Sequence, residues 1–457
     1  MKHTSGIFYY IVGLFFFWGF VAASNDVLIP VFKDYLKIEQ WQSQMISFVF
    51  YVAYTIGSIL YLLISIRIKK DWLTKIGYTK GLSIGLFISF LGTLLFIPAS
   101  INASFVTLIL GLFIIGLGFS LQQTAANPLV ILAGDESLGS QRLSLAGGIN
   151  NIGTTIGPIL VSYAVFGNAH QINNLSHLMY PYLILGFLFI LIAIFFYFMK
   201  FNFSHTETSN VHQFSELLSV VKNKKVVLSM LAIFLYVGVE VSSAANLAEF
   251  AKHKSNISTS QIAPFISLYW ACLMIGRWAS ASDIFAQKKW IKYLFKVAFP
   301  LLAFALFYLI LVVNQKNIPH LEYLFLYIAL LILMDFLSKG DAARQLVLYS
   351  LSGAVLILAG MLSNGIVSVF SITAVGLFCS TLWPCIFEIA LKGNQQQSGL
   401  ISSLLIMMIM GGGWISLLQG YLSIPLGISG SYIIGIICFL YLLLYGWYAM
   451  KTEKNVS

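Results

Sequence analysis

Asn25 and Asp26 stand side by side in the stretch VAASNDVLIP, directly after the uncharged run IFYYIVGLFFFWGF. An Asp at the centre of a lipid-spanning helix costs roughly 3 kcal/mol on insertion scales, so it persists where it faces a wet cavity. Asp26 is therefore a candidate ion carrier. Pro30 and Lys33 follow closely, which leaves an interfacial position near the outer mouth as the alternative. Glu240, in YVGVEVSSAAN, lies at matching depth in a later apolar segment. Apolar surroundings disfavour the charged form of a carboxylate, which suits a proton or cation carrier. A structural hydrogen bond to a facing helix is the other reading of Glu240.

A second group of residues could bind rather than titrate. Gln122, Gln123 and Asn127 occur in LGFSLQQTAANP, with Gln123 and Asn127 four apart and hence on one helical face. Asn127-Pro128 is expected to interrupt that helix. Asn150, Asn151, Asn246 and Gln419 are further amides in apolar segments, as is Asn25. Amides both donate and accept hydrogen bonds, as a neutral polyol requires. Trp18, Trp270 and Trp383 offer flat faces to the C–H side of a sugar ring. Each amide taken alone reads equally as interhelical glue, worth about 0.6–2 kcal/mol. The tryptophans read as packing or interface residues. Arg277, in MIGRWASASD, with Asp283 within reach, reads as a gate or packing ion pair rather than a substrate contact.

Other chemistry lacks its residues. No zinc-ligand spacing, phosphate-cradling loop or nucleophile elbow occurs, which argues against an enzyme. His3, His170, His177, His205, His212, His253 and His320 all fall in loops or tails, so a histidine proton relay is not expected. Cys272, Cys379, Cys385 and Cys438 lie in apolar runs and read as small buried hydrophobes.

The elements that must position these groups are membrane helices. Hydrophobic residues make up 59% of the 457 and charged residues 9%, against about 25% charged in a soluble domain. Too little polar surface remains to cover a soluble globule, so the expected solvent is lipid. A span needs about 20 mostly apolar residues. Fourteen segments qualify, near 7–30, 44–66, 79–98, 104–131, 142–167, 176–199, 226–250, 260–285, 290–313, 322–338, 344–361, 365–390, 398–421 and 428–450. The 322–338 segment is short. Lys2, His3 and VAAS mimic a cleaved secretory signal, but the polar pair after it and the later spans favour a retained first helix.

Lys and Arg stay preferentially on the cytoplasmic side. With both termini inside, only Lys33, Lys37, Lys252, Lys254 and Lys316 of the 26 Lys and Arg fall outside, and Arg277 lies within a span. That bias accounts for the net charge of +10 without nucleic acid.

The longest internal polar stretch, 201–225, divides the chain after six spans. The expected domains are a six-helix bundle over 1–200, a cytoplasmic linker over 201–225 and a second bundle over 226–457. A weak echo relates the two parts. FFFWGFVAASND in the first helix matches IFLYVGVEVSSAAN in the seventh, and RLSLAGGINNIGTTIG matches LISSLLIMMIMGGGWI. Two six-helix bundles joined by a linker is the plan of the major facilitator fold, whose halves are related by an axis along the membrane normal.

FFFWGFVAASNDVLIP, QTAANPLVILAG, RLSLAGGINNIGTTIGP, YVGVEVS, YWACLMIGRW and LIMMIMGGGWISLLQGYL together resemble the fucose/galactose/glucose permease family of the major facilitator superfamily, nearest its glucose/galactose transporter branch. The resemblance covers about 10–286 and 339–450. It implies import of a hexose by alternating access, coupled to H⁺ or Na⁺, in the bacterial inner membrane. By matching position, Asp26 is the first-helix carboxylate implicated in proton coupling, and Asn150 is a cavity amide. The sequence departs from the fucose branch at Gln123, where that branch has Glu, and at Gly147, where it has Gln. Residues 287–338 look like an inserted helix pair, for which lateral packing or an oligomer contact is the only role suggested; the chain is otherwise expected to be a monomer in lipid. A fourteen-helix drug/H⁺ antiporter shares the GTTIGP fifth helix, but an amide-rich cavity suits lipophilic drugs poorly. A sugar sensor without turnover is the third reading.

Overall fold

The computed structural model describes residues 4–68, 72–102, 104–132, 139–166, 176–199, 220, 222–258, 261–281, 288–392 and 398–454. Helix occupies each of the fourteen expected segments, because a backbone without water must close its own hydrogen bonds. Among the described residues there is no strand. Residues 201–219 and 221 of the expected linker lie outside the described residues.

The first part comprises α1 (Thr4–Leu36), α2 (Gln40–Ile68), the short α3 (Trp72–Ile76), α4 (Tyr78–Leu94) extended by α5 (Phe96–Ile101), α6 (Phe105–Leu132), α7 (Gly139–Phe166) and α8 (Ser176–Phe198). The second comprises α9 (Lys224–Ser255), α10 (Ala263–Ala281), α11 (Lys289–Val313), α12 (Tyr323–Ser338), α13 (Ala342–Leu362), α14 (Gly365–Cys379) and α15 (Leu382–Leu391). It ends with α16 (Ser398–Met407), a 3-10 turn at Met408–Met410, α17 (Gly411–Ser431) and α18 (Ile433–Lys454).

Local chemistry sets several helix ends. Asn223 accepts a hydrogen bond from Lys225 N at 3.0 Å and starts α9, and Asp341 does the same for Arg344 N at 2.7 Å at α13. Two proline-containing stretches differ from expectation. α6 continues through Asn127 and Pro128 to Leu132; a proline in a membrane bundle is tolerated where neighbours satisfy the freed carbonyl. α17 runs past Pro425 to Ser431, kinked at Gly427 with φ 70°, so the segments expected to part near 421–428 are nearly continuous.

Among the described residues nine helices are long and apolar enough to cross a membrane. Tyr10–Ala23, Tyr182–Phe198 and Tyr323–Ser338 are shorter apolar stretches. Large apolar side chains such as Leu60, Phe187, Leu302, Leu326 and Leu444 face outward. Such a surface aggregates in water and is ordinary in lipid.

The two parts use the same pairings. α1 packs on α7 as α9 packs on α17, and α4 packs on α6 and α8 as α13 packs on α14 and α18. One apolar core is built mainly from α1–α8, with Trp18, Phe50, Phe119 and Phe189 at its centre. The other is built mainly from α9–α18 around Tyr236, Tyr269, Phe370 and Phe378. The parts meet along α2–α17 and α7–α10. Small residues permit the close approaches. A Cβ on Gly153 would fall 2.1 Å from Phe16 O, and one on Gly411 would fall 1.9 Å from Phe234 O.

The helix pair within 287–338 lies at the periphery. α11 packs on α10, and α12 packs on α13 and α14. Only 28% of the α11 span is buried. Within this pair Lys296 and Asp335 are both buried and bonded to each other. Gln345 of α13 reaches Asp335 Oδ1 at 3.4 Å and Ser280 Oγ at 3.2 Å.

Candidate functional site

Glu240 sits in the interior of α9, where small and apolar neighbours leave its carboxylate few partners from its own helix. Tyr236, one turn earlier on the same face, donates its hydroxyl to Glu240 Oε2. Tyr269 of α10 donates to the Glu240 carbonyl at 2.8 Å, tying α10 to α9 at this level. The Arg277 charge, also on α10, attracts Glu240. α14 ends at Cys379, which leaves a free carbonyl at Ser380; Arg277 Nε donates to it at 3.2 Å. Trp383, just inside α15, is half-buried. It stacks on Phe387 at 4.8 Å between centroids and tilts over Tyr236 at 6.3 Å.

Across the seam Arg277 Nη1 donates to Asn151 Oδ1 of α7 at 2.9 Å. Asn150, its neighbour, donates Nδ2 to Phe15 O at 2.8 Å. Gly19 allows that approach, since a Cβ there would meet Asn150 O at 2.1 Å. Gln123 is half-buried and accepts from the Tyr54 hydroxyl. Among the described residues no atom lies within 4 Å of a Cβ placed on Gly147 or Gly148. A carboxylate, a guanidinium, tyrosine hydroxyls and the Asn151 amide thus meet across the seam, with Asn150 beside them, while Gln123 is bonded to Tyr54 within the first half. Such a set can take up a cation or proton on one side and hydrogen-bond a polyol on the other.

Not every expected residue joins this group. Gln122 is fully buried in the first core, where it accepts from Trp18 Nε1 at 2.8 Å and donates to Ser89 Oγ at 2.9 Å. Both ends of its amide are occupied by interhelical bonds. Asn246 lies six residues past Glu240, about 9 Å further along the helix. It accepts from Gln40 Nε2 at 2.9 Å and donates to Ser242 O at 3.0 Å. Gln419 is buried, and its neighbour Gly420 packs against Trp41 and Gln44. Trp270 is buried edge-on to Tyr269 at 5.6 Å. The side chains of Asn25, Asp26 and Asn127 and all of Asp283 lie outside the described residues.

The end of the seam near Asn246 is closed. Lys33 of α1 pairs with Glu249 of α9 at 2.8 Å, and Lys252 pairs with Asp34 at 3.4 Å. Trp41 and Tyr421 stack at 4.9 Å. Sequence reasoning missed Tyr236, Tyr269 and Tyr54. The four-residue spacing between Tyr236 and Glu240 was a readable signal. Tyr54 and Tyr269 reach their partners only through tertiary contacts. Among the described residues no group of three or more His, Cys, Asp or Glu is placed to hold a metal ion.

Apolar helices with lipid-suited exteriors, meeting along a seam that buries amides and opposite charges, define a multi-pass membrane transporter rather than an enzyme. A family model described as the Major Facilitator Superfamily matches residues 9–338. The chain belongs to that superfamily. It is 26% identical over 450 residues to a protein of Brucella abortus named glucose/galactose transporter, covering 96% of this chain and 93% of that one. It is 24% identical over 467 residues to the L-fucose-proton symporter of Escherichia coli, covering 97% and 92%. A crystal structure of the Escherichia coli fucose:proton symporter superposes with a TM-score of 0.63 at 24% identity, over 98% of this chain and 99% of that one.

Proposed function

We propose that this protein imports a hexose of the glucose, galactose or fucose type, coupled to H⁺ or Na⁺, by alternating access. The observation that carries the reading is end-to-end similarity to transporters named for glucose/galactose and for fucose with a proton, joined to a seam that holds Glu240 among polyol-suited amides. The moving bodies are the bundle within 1–200 and the bundle within 226–457, joined by 201–225. The ion-paired end at Lys33 and Glu249 is the external gate. Both termini lie in the cytoplasm, the membrane is the bacterial inner membrane, and a monomer suffices.

Asp26 and Glu240 exchange the coupling ion. Gln123 and Asn150 line the sugar path, with Trp383 as its flat wall. Ion binding biases the halves because each state offers the carboxylates different partners; a ligand shifts an equilibrium only by its differential affinity. The test is radiolabelled hexose uptake into proteoliposomes with Na⁺ and pH gradients imposed separately. Accumulation of one hexose driven by one of the two gradients is expected. Uptake of none, under either gradient, overturns the proposal.

A further inference from the structure

We infer that Arg277 fixes the orientation of the Asn151 amide, so that Asn151 Nδ2 donates a hydrogen bond to an oxygen of the transported hexose. The inference depends on the hexose-transport reading above. A guanidinium carries only donors. Arg277 Nη1 lies 2.9 Å from Asn151 Oδ1, so the amide oxygen must face Arg277 and Nδ2 must face away. Asn151 is 2% exposed, and its Nδ2 has no partner among the described residues. A buried donor without an acceptor is costly and uncommon. It points to an acceptor that the protein itself does not supply.

The surroundings agree. Gly147 lies one turn before Asn151 on the same face of α7, and among the described residues nothing lies within 4 Å of a Cβ placed there. Asn150 spends its own Nδ2 on Phe15 O at 2.8 Å, so it does not duplicate the donor. The Asn151 carbonyl accepts from Thr154 Oγ1 at 2.9 Å and Thr155 Oγ1 at 2.8 Å, which fixes the backbone and leaves Nδ2 unused. Arg277 is held in turn, since Nε donates to Ser380 O at 3.2 Å. Arg277 is therefore a positioning residue that acts through Asn151.

A site donor recognises a ligand acceptor. A deoxyfluoro sugar keeps an acceptor where the corresponding deoxy sugar loses it. The experiment uses the full chain in proteoliposomes, with hexose uptake competed by singly deoxy and deoxyfluoro glucoses and galactoses. At one ring position the fluoro analogue should compete about tenfold better than the deoxy analogue, the effect of one hydrogen bond. Asn151→Ala should erase that difference at that position and leave the others. Arg277→Lys offers donors only and should keep it, while Arg277→Met frees the amide to turn and should erase it. If an Arg277 variant fails to insert, Asn151→Ala carries the test, since it removes one amide and leaves the helix intact. An unchanged panel in Asn151→Ala, or a uniform loss at every position, overturns the inference while hexose transport stands. A wild-type protein that carries no hexose overturns the transport reading and this inference with it.

Discussion

Lys33 Nζ of α1 lies 2.8 Å from Glu249 Oε2 of α9, so opposite charges from the two halves close one end of the seam. The neighbouring pair, Asp34 with Lys252, repeats the contact with the signs exchanged between the helices. Both helix ends therefore carry a charge of each sign, and the register of closure is specified without a large net field.

Reversing one charge should loosen that end. The Lys33 and Glu249 side chains are 20% and 27% exposed, so the pair is worth about 0.5–1 kcal/mol, or a two- to fivefold shift in population. Lys33→Glu should raise the labelling rate of a Gln44→Cys reporter by a thiol reagent. The swap Lys33→Glu with Glu249→Lys should restore slow labelling. Equal rates in all three proteins would rule the pair out as a gate.

Glu240→Gln keeps the size of the side chain and removes its charge. Accumulation should fall to a ratio of about one, because ion and sugar are no longer linked, while exchange of sugar across the membrane continues. Tyr236→Phe deletes one hydrogen bond to Glu240, worth about 0.5–1.5 kcal/mol, and should weaken the ion dependence less severely. Counterflow and net accumulation measured side by side separate these effects. A Glu240→Gln protein that still accumulates sugar removes Glu240 from coupling.

Asp26→Asn should also abolish concentrative uptake while leaving membrane insertion intact. The measurements are gradient-driven accumulation and the amount of protein in the membrane fraction. Full accumulation by the variant excludes Asp26 from the mechanism.

The Lys296–Asp335 pair should behave as a structural key for the peripheral helices. Removing one partner leaves a buried charge alone, at a cost of about 3–5 kcal/mol, whereas replacing both by apolar residues is close to neutral. Asp335→Leu should therefore lower the unfolding temperature in detergent, and Lys296→Met combined with Asp335→Leu should recover it. A double variant as unstable as the single one refutes the key.

Much of this protein is written in its composition. A run of about twenty mostly apolar residues reads as a helix in lipid, since such a segment closes its own backbone hydrogen bonds. That rule places helix in all fourteen segments, including the pair α11 and α12, but it does not foresee that helix continues through Pro128 and past Pro425. The rarity of charge in such segments makes Glu240 conspicuous without any structure. The amides are different. Gln122 and Gln123 are adjacent in sequence, yet one is bonded on both sides inside a core and the other is half-buried beside Tyr54. Asn150 and Asn151 divide similarly between Phe15 O and Arg277. Adjacent residues on a helix point about 100° apart, and an amide bonds to whatever helix it meets. The sequence alone decides that a polar side chain is buried; only the packing of α1, α7, α9 and α10 decides which partner it finds and which donor is left over.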